Sequence, residues 1–203
     1  ILFGRPLSGT MVRFIRKASE IDGLFIRPFD MRKYDEEIST VVDIFNDAWS
    51  ENWGFLPMQD EEITYLAKSL RPLVRSNGAA IAEFNGKPVA MAVCIPNLNE
   101  AIADLDGRLL PFGWAKLLWR IGVRSPKSVR MPLMGVRKKY QGGVIGAALA
   151  YSVINKVRTH QTEIGVTEAE LSWILEDNIS IQRMIESFGG ELYKTYRLYE
   201  RAL

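Results

Sequence analysis

The chain has 203 residues, of which 47% are hydrophobic and 25% are charged, a balance typical of a globular protein with one core. Its formal net charge of +2 is too small to indicate a nucleic-acid partner. Cys94 is the only cysteine, which excludes an internal disulfide and fits a reducing compartment. No apolar run approaches the ~18 residues that a membrane span needs. We therefore predict a cytoplasmic protein without a transmembrane segment.

Residues 1–22 are rich in basic residues and show no clear periodicity. We interpret them as an N-terminal extension, the remnant of an upstream segment, because the chain begins with Ile1 rather than methionine. The folded domain is then expected over residues 23–203.

The first half of this domain is predicted to hold a strand, two helices and a hairpin. A short strand is expected within 23–30, and apolar residues at helical spacing predict a helix over 33–50. Asp60 is placed to cap a second helix. The segments "AAIAEF" and "PVAMAVCI" are joined by Asn85-Gly86, a dipeptide typical of a two-residue hairpin turn.

The second half begins with the less regular residues 98–126 and then alternates strands with helices. The predicted elements are the strand "SVRMPLMGV", a helix over about 143–160, the strand "AELSWILE", the helix "NISIQRMIESF" and the final strand "ELYKTYRLYE". This order predicts an α/β (α+β) fold with a central sheet covered by helices on both faces.

The stretch "KKYQGGVIGAAL" (138–149) is the main candidate for a binding site. A strand that enters a helix through glycines presents free backbone N–H groups, and the helix dipole adds partial positive charge there. The amides of 142–147 could thus form an anion nest. The same residues also fit a tight turn that needs no ligand, and two well-known phosphate-loop patterns are absent. From this segment alone both interpretations stay open.

The longer segment "MPLMGVRKKYQGGVIGAAL" resembles the strand–loop–helix signature of the GNAT superfamily of acyl-CoA-dependent N-acyltransferases, Q/R-x-x-G-x-G/A. Here the signature starts at Gln141 and ends at Gly146, and Val136 closes the strand. Val144 stands where a glycine is usual. The resemblance covers about residues 23–203, and it implies a central mixed, mostly antiparallel sheet and acetyl-CoA or another acyl-CoA as co-substrate.

The resemblance also implies roles for individual residues. The N–H of Met134 would donate to the thioester carbonyl and stabilise the oxyanion. The basic run 137–139 would attract the coenzyme phosphates, unless it is simply a solvated charge run. Cofactor binding is implied for Met134, Gly135 and Val136 on the strand, for Gln141, Gly142, Gly143, Val144, Ile145, Gly146 and Ala147 in the turn, and for Asn178 at the next helix.

The sequence departs from the family pattern in its acid and base. The strand begins with Val129-Arg130, without the carboxylate that some members carry, and Ile185 stands where many have a tyrosine. Glu170 is our candidate to orient or deprotonate the acceptor, with an edge ion pair as the alternative. Candidate acids are Tyr193, Tyr196 and Tyr199.

Other chemistry-bearing residues have plainer interpretations. Cys94 lies in an apolar run and is interpreted as a buried side chain rather than a nucleophile. His160 complements a helix dipole, and no metal-ligand spacing surrounds it, so we predict no metal.

Aromatic residues of "AWSENWGFLP" are expected to wall the acceptor site. The basic stretch "PFGWAKLLWRIGVR" fits a lid packed on the domain or a helix lying on a membrane.

The resulting hypothesis is an N-acyltransferase that moves an acetyl or longer acyl group from acyl-CoA to a primary amine of a small molecule by direct attack. The alternative is a catalytically degenerate domain that binds acyl-CoA as a sensor or partner. A homodimer and an upstream domain both stay open.

Overall fold

The computed structural model describes residues 1–122, 127–172, 174–197 and 199–201. The strands are β1 (Leu24–Pro28), β2 (Ala79–Phe84), β3 (Lys87–Pro96), β4 (Ser128–Val136) and β5 (Glu168–Leu171). The helices are α1 (Gly9–Ser19), α2 (Tyr34–Trp49), α3 (Asp60–Leu70), α4 (Leu98–Ile102), α5 (Gly113–Gly122), α6 (Gly143–Glu163) and α7 (Ile179–Ser187).

The strands form one sheet in the order β1-β2-β3-β4-β5. The first four are antiparallel neighbours, whereas β4 and β5 are parallel. This confirms the predicted mixed, mostly antiparallel sheet. The predicted hairpin is also confirmed, because Asn85 (φ 50°) and Gly86 (φ 73°) supply the two positive φ angles of its turn.

Two buried clusters lie on opposite faces of the sheet. The first contains Leu149, Val153 and Val157 of α6, and the second contains Ile44 and Phe45 of α2. The two faces are named here the α6 face and the α2 face. Helices on both faces confirm the predicted layer arrangement.

The N-terminal residues are part of the first cluster. Met11, Phe14, Ile15 and Ala18 follow the i, i+3, i+4, i+7 spacing of a helix, and they pack α1 onto α6. The side chain of Met11 is only 1% exposed. The expectation of an aperiodic segment over 1–22 is therefore wrong, while the domain boundary at residue 23 stays a prediction.

Three smaller predictions need correction. The N-cap of α3 is Gln59 rather than Asp60, and the Gln59 N–H donates to the Glu62 carboxylate at 3.0 Å. The strand predicted over 169–176 ends at Leu171. The final predicted strand is wrong, because 191–197 and 199–201 contain no strand and their large side chains are exposed.

The region predicted to be irregular holds α4 and α5. Asp104, two residues after α4, binds Lys116 at 2.6 Å and also binds Arg120. The Arg120 guanidinium also donates to the Ala101 carbonyl of α4 at 2.7 Å. None of the residues described in α5 is buried, and Trp114 and Leu118 are more than half exposed. Polar contacts thus hold α5 against the domain, while Trp114 and Leu118 remain exposed to solvent. Within the described ranges, no helix is both long and apolar enough to cross a bilayer.

Candidate active site

The candidate site lies where β4 and β5 separate. Pairing of the two parallel strands ends at Met131↔Leu171, after which the Ser172 N–H makes one further bond to the Met131 carbonyl at 3.3 Å. β4 runs on to Val136. Among the residues that the structure describes, the edge of β4 beyond Met131 has no β5 partner, which leaves a gap that we call the β4–β5 opening.

A β-bulge bends β4 at the start of this opening. Val93 of β3 lies opposite Leu133, whereas Ile95 lies opposite Arg130, so β4 has one extra residue between these pairs. Pro132 falls in this irregular stretch, where its missing N–H costs no ladder bond. Bulges bend and twist a strand locally. The bulge therefore gives a physical reason for β4 to leave β5.

Two β4 residues direct their backbone polar groups into the opening. In an antiparallel pair, alternate residues point their N–H and C=O groups at the partner strand. The Arg137 N–H donates to the Val89 carbonyl at 2.8 Å, so Gly135 also faces β3. By the same alternation, Met134 and Val136 face away from β3, toward the opening.

Side chains from two other elements bind the carbonyls of these two residues. The indole N–H of Trp49, the last residue of α2, donates to the Met134 carbonyl at 3.1 Å. The amide of Gln141 donates to the Val136 carbonyl at 2.8 Å and to the Ala48 carbonyl at 3.0 Å. Both bonds agree with the orientation derived from the register.

Gly135 lets the end of α2 approach β4 closely. A Cβ atom on Gly135 would lie 3.1 Å from the Cβ of Ala48 and 3.6 Å from a methyl group of Ile44. The absence of a side chain at Gly135 therefore places Trp49 within reach of the opening.

The glycine turn leads from this edge into α6. Gly142 (φ 75°) and Gly143 (φ 60°) both have left-handed backbones that other residues adopt at a cost. Gly142 is the N-cap of α6 and has no side chain to bond the free N–H groups of the first turn. Residues 141–145 are exposed. Gly146 is buried, and a Cβ there would lie 2.4 Å from the Tyr140 carbonyl oxygen.

Two residues of the basic run before the turn pair with carboxylates of α2 and of the residues just after it. Arg137 pairs with Asp43, and Lys138 pairs with Glu51 at 2.8 Å. The Lys139 ammonium lies over the ring of Tyr140 at 5.6 Å. These contacts anchor the turn to α2, a use that the sequence pattern did not indicate.

Asn178 caps the next helix. Its side chain accepts a hydrogen bond from the Ile181 N–H at 3.2 Å at the start of α7. This contact explains an asparagine at that position, and its role toward a coenzyme stays a prediction.

Glu170 lies on the α2 face of β5, because its neighbours Ala169 and Leu171 belong to the cluster on the α6 face. Its carboxylate pairs with the Arg130 guanidinium at 3.1 Å. The same carboxylate lies near the Tyr193 hydroxyl and raises the pKa of that hydroxyl above its usual value. The structure thus gathers the predicted base, the arginine and one of the three candidate tyrosines one residue before β4 and β5 separate.

The aromatic segment after α2 lies beside Trp49. The ring centroids of Phe45 and Trp49 are 5.0 Å apart, and those of Phe45 and Phe55 are 5.4 Å apart. Trp53 points outward and is 77% exposed. A separate, solvent-open groove of about 530 Å³ runs along α3, and its wall is formed by Leu56, Pro57, Met58, Glu61, Glu62, Tyr65 and Leu66.

Cys94 is fully buried, and burial raises the pKa of its thiol well above the usual value. A thiol in this state is a poor nucleophile. The interpretation of Cys94 as a core residue is therefore supported.

Solved acetyltransferases have the same fold. An aminoglycoside acetyltransferase from an uncultured soil metagenomic sample, in complex with sisomicin, is 14% identical with a TM-score of 0.53 over 89% of this chain and 98% of that one. The aminoglycoside N-acetyltransferase AAC(6')-Iy in complex with CoA is 14% identical with a TM-score of 0.52, over 89% of this chain and 95% of its own. An agmatine N-acetyltransferase is 16% identical with a TM-score of 0.54, over 87% of this chain and 86% of its own. The chain therefore has the GNAT fold that its sequence predicted.

Curated relatives are closer in sequence. A bacterial ceramide synthase of Caulobacter vibrioides (strain NA1000 / CB15N) is 46% identical over 181 residues, which are 89% of this chain and 47% of that protein. Protein YghO of Escherichia coli (strain K12) is 43% identical over 178 residues, 88% of this chain and 46% of that protein. The chain thus spans about half the length of both. No family model matches it.

Proposed function

We propose that this chain carries the acyl-CoA site of an N-acyltransferase that transfers an acyl group to a primary amine. One observation carries the proposal: the N–H groups of Met134 and Val136 face the β4–β5 opening, and β4 leads directly to the glycine N-terminus of α6. The opening can take an extended thioester arm by strand-like pairing, and the N-terminus of a helix suits a pyrophosphate. CoA complexes with the same fold support this assignment.

The reaction is a direct transfer. The amine nitrogen attacks the thioester carbonyl carbon, a C–N bond forms, and the oxyanion collapses as the C–S bond breaks. The acceptor ammonium first gives up one proton to become the neutral amine. The nitrogen loses a second proton as the amide forms and the departing CoA sulfur gains one, so the products are an amide, free CoA and one proton released to solvent. No covalent enzyme intermediate is required, in keeping with the burial of Cys94.

Named residues supply two functions in this scheme. The Met134 N–H points into the opening, where it would donate to the developing oxyanion, a contribution of about 3 kcal/mol for a well-aimed donor. Glu170 would attract the acceptor ammonium and take its proton directly or through water. Tyr193, whose hydroxyl stays protonated to a higher pH beside that carboxylate, would return a proton to the thiolate.

For the acceptor we propose an amine that carries a long apolar chain. The relative named a ceramide synthase supports this class, because a ceramide is an amide of a long-chain amine. The groove along α3 supports it as well, since its wall is mainly apolar and includes the carboxylate of Glu61. On the same support we propose an acyl group longer than acetyl.

A thiol-release assay tests the proposal. Acetyl-, octanoyl- and palmitoyl-CoA would each be combined with a short polar amine, a short alkyl amine and a long-chain amino alcohol. We expect CoA release to be fastest with the long acyl donors and the long-chain amine. Release with none of these pairs would overturn the enzyme assignment, and release with the short polar amine alone would overturn the acceptor class.

The second candidate is a domain that binds acyl-CoA without turnover. It is favoured by the ion pair that engages Glu170 and by Ile185, which occupies the place of the usual acid. Calorimetry separates the two functions, because this candidate requires CoA binding with no amine-dependent release.

A further inference from the structure

The edge of β4 at the opening is chemically unusual. An outward-facing residue of a β-strand normally offers one donor and one acceptor to an incoming chain. At Met134 and Val136 the acceptors are already bound, the first by Trp49 at 3.1 Å and the second by Gln141 at 2.8 Å. The N–H groups are therefore the outward-pointing groups of this edge that are left to bond a ligand.

The two side chains that bind these carbonyls are held in place by other contacts. The ring of Trp49 packs against Phe45 with centroids 5.0 Å apart. The amide of Gln141 makes its second bond to the Ala48 carbonyl at 3.0 Å, which fixes it between α2 and β4. Because both donors are fixed, a ligand meets them already bonded to the strand.

We propose that Trp49 and Gln141 are positioning residues that convert the β4 edge into a row of N–H donors. The acyl-CoA arm is then held through its carbonyl oxygens, with the thioester oxygen at the Met134 N–H. This inference rests on the proposed function and adds a prediction about how the arm is selected.

The physical effect of Trp49 is electrostatic. An oxyanion at the Met134 N–H lies close to the carbonyl oxygen of the same residue, because both groups point into the opening. Two oxygens with negative charge repel each other, and an N–H bonded to the carbonyl reduces that repulsion. The charge on the thioester oxygen grows only in the transition state, so Trp49 acts on kcat.

Gln141 acts at a different point along the arm. Val136 lies two residues nearer the glycine turn than Met134, so its N–H meets the arm away from the reacting carbon. An interaction made equally in the ground state and the transition state changes KM rather than kcat. Substitution of Trp49 is therefore expected to change kcat, and substitution of Gln141 is expected to change KM.

The test compares Trp49→Phe and Gln141→Met with the control Phe25→Leu, which alters a side chain that is 68% exposed on β1, at the opposite edge of the sheet. For Trp49→Phe we expect kcat to fall about tenfold, comparable to the loss of one hydrogen bond, with KM, CoA affinity and unfolding temperature unchanged. For Gln141→Met we expect KM to rise about tenfold with kcat preserved. Phe25→Leu should match the wild type in every parameter.

The outcomes distinguish this inference from the function on which it rests. If the wild type binds CoA and turns over but Trp49→Phe has the same kcat as Phe25→Leu, the inference is overturned and the function survives. A fall in kcat accompanied by equal losses of CoA affinity and unfolding temperature assigns Trp49 to packing and also overturns it. A wild-type protein that binds no CoA overturns the proposed function itself.

Discussion

Arg130 and Glu170 form a 3.1 Å ion pair across the parallel strands β4 and β5, one residue before the two strands separate. Both side chains project from the sheet beside the opening. The ion pair holds the Glu170 carboxylate beside the opening, where its side chain is 24% exposed.

Replacing Glu170 with Gln tests its proposed role toward the amine. We expect turnover to fall about 100-fold, the low end for loss of a general base, while CoA affinity is unchanged. The matched control is Glu168→Gln, two residues earlier in the same strand and exposed. If E170Q keeps the activity of the control, Glu170 serves only as the partner of Arg130.

The pKa of Tyr193 gives a measurement that needs no substrate. A neighbouring carboxylate disfavours the tyrosinate, which raises the pKa of this hydroxyl above its usual value. In E170Q that pKa should fall back toward the ordinary value of about 10. A titration of tyrosinate absorbance, with Tyr193→Phe to assign the signal, reports the shift, and identical titrations in the wild type and E170Q would refute the contact.

Cys94 should not react with thiol reagents in the folded protein. Full burial raises the pKa of its thiol, so neither access nor thiolate is available. Because it is the only cysteine, a thiol reagent should report CoA release without background until denaturant is added. Labelling of the native protein at the rate of a free thiol would contradict this expectation.

Two glycines at opposite ends of α6 separate stability from binding. Gly142 (φ 75°) and Gly165 (φ 87°) both have left-handed backbones, and a Cβ on either would meet nothing within 4 Å. Alanine at each position should therefore lower the free energy of unfolding by a similar ~1–2 kcal/mol. Only Gly142→Ala should weaken CoA binding, and equal binding by the two variants would argue against a cradle at the turn.

The guanidinium of Arg27 is predicted to matter for stability. It binds Glu83 at 2.7 Å and Glu37 at 2.8 Å, and the side chain of Glu37 is only 6% exposed. Arg27→Met leaves that carboxylate buried without its partner, so unfolding in urea should show a loss of about 3–5 kcal/mol. The control Arg32→Met removes an exposed pair with Asp30 and should leave the urea unfolding transition nearly unchanged.

Local patterns predicted much of the fold. Asn85-Gly86 specified its hairpin, and the glycine turn was placed correctly between β4 and α6. The helix α1 was missed although Met11, Phe14, Ile15 and Ala18 carry its period, so the signal was available. The prediction of the final strand is wrong for a different reason. Apolar residues in alternation form a strand only where they can pair with the edge of a sheet, and here Tyr196 and Tyr199 are 71% and 90% exposed.

The details of the site depended on contacts between distant residues. Trp49 and Met134 are 85 positions apart, and their bond exists because Gly135 admits α2 and the bulge near Pro132 opens the strand. Neither condition can be derived from spacing alone. The sequence motif predicts the position of the turn. The orientation of the carbonyls that Trp49 and Gln141 bind follows only from the register of β3 and β4.

The most direct test of the acyl-CoA site is calorimetry of the wild-type chain and Gly142→Ala with CoA, with Gly165→Ala as the stability control. We expect saturable binding at one site in the wild type and in Gly165→Ala, and markedly weaker binding in Gly142→Ala. Absence of CoA binding by the folded wild-type chain would overturn the proposed acyl-CoA site.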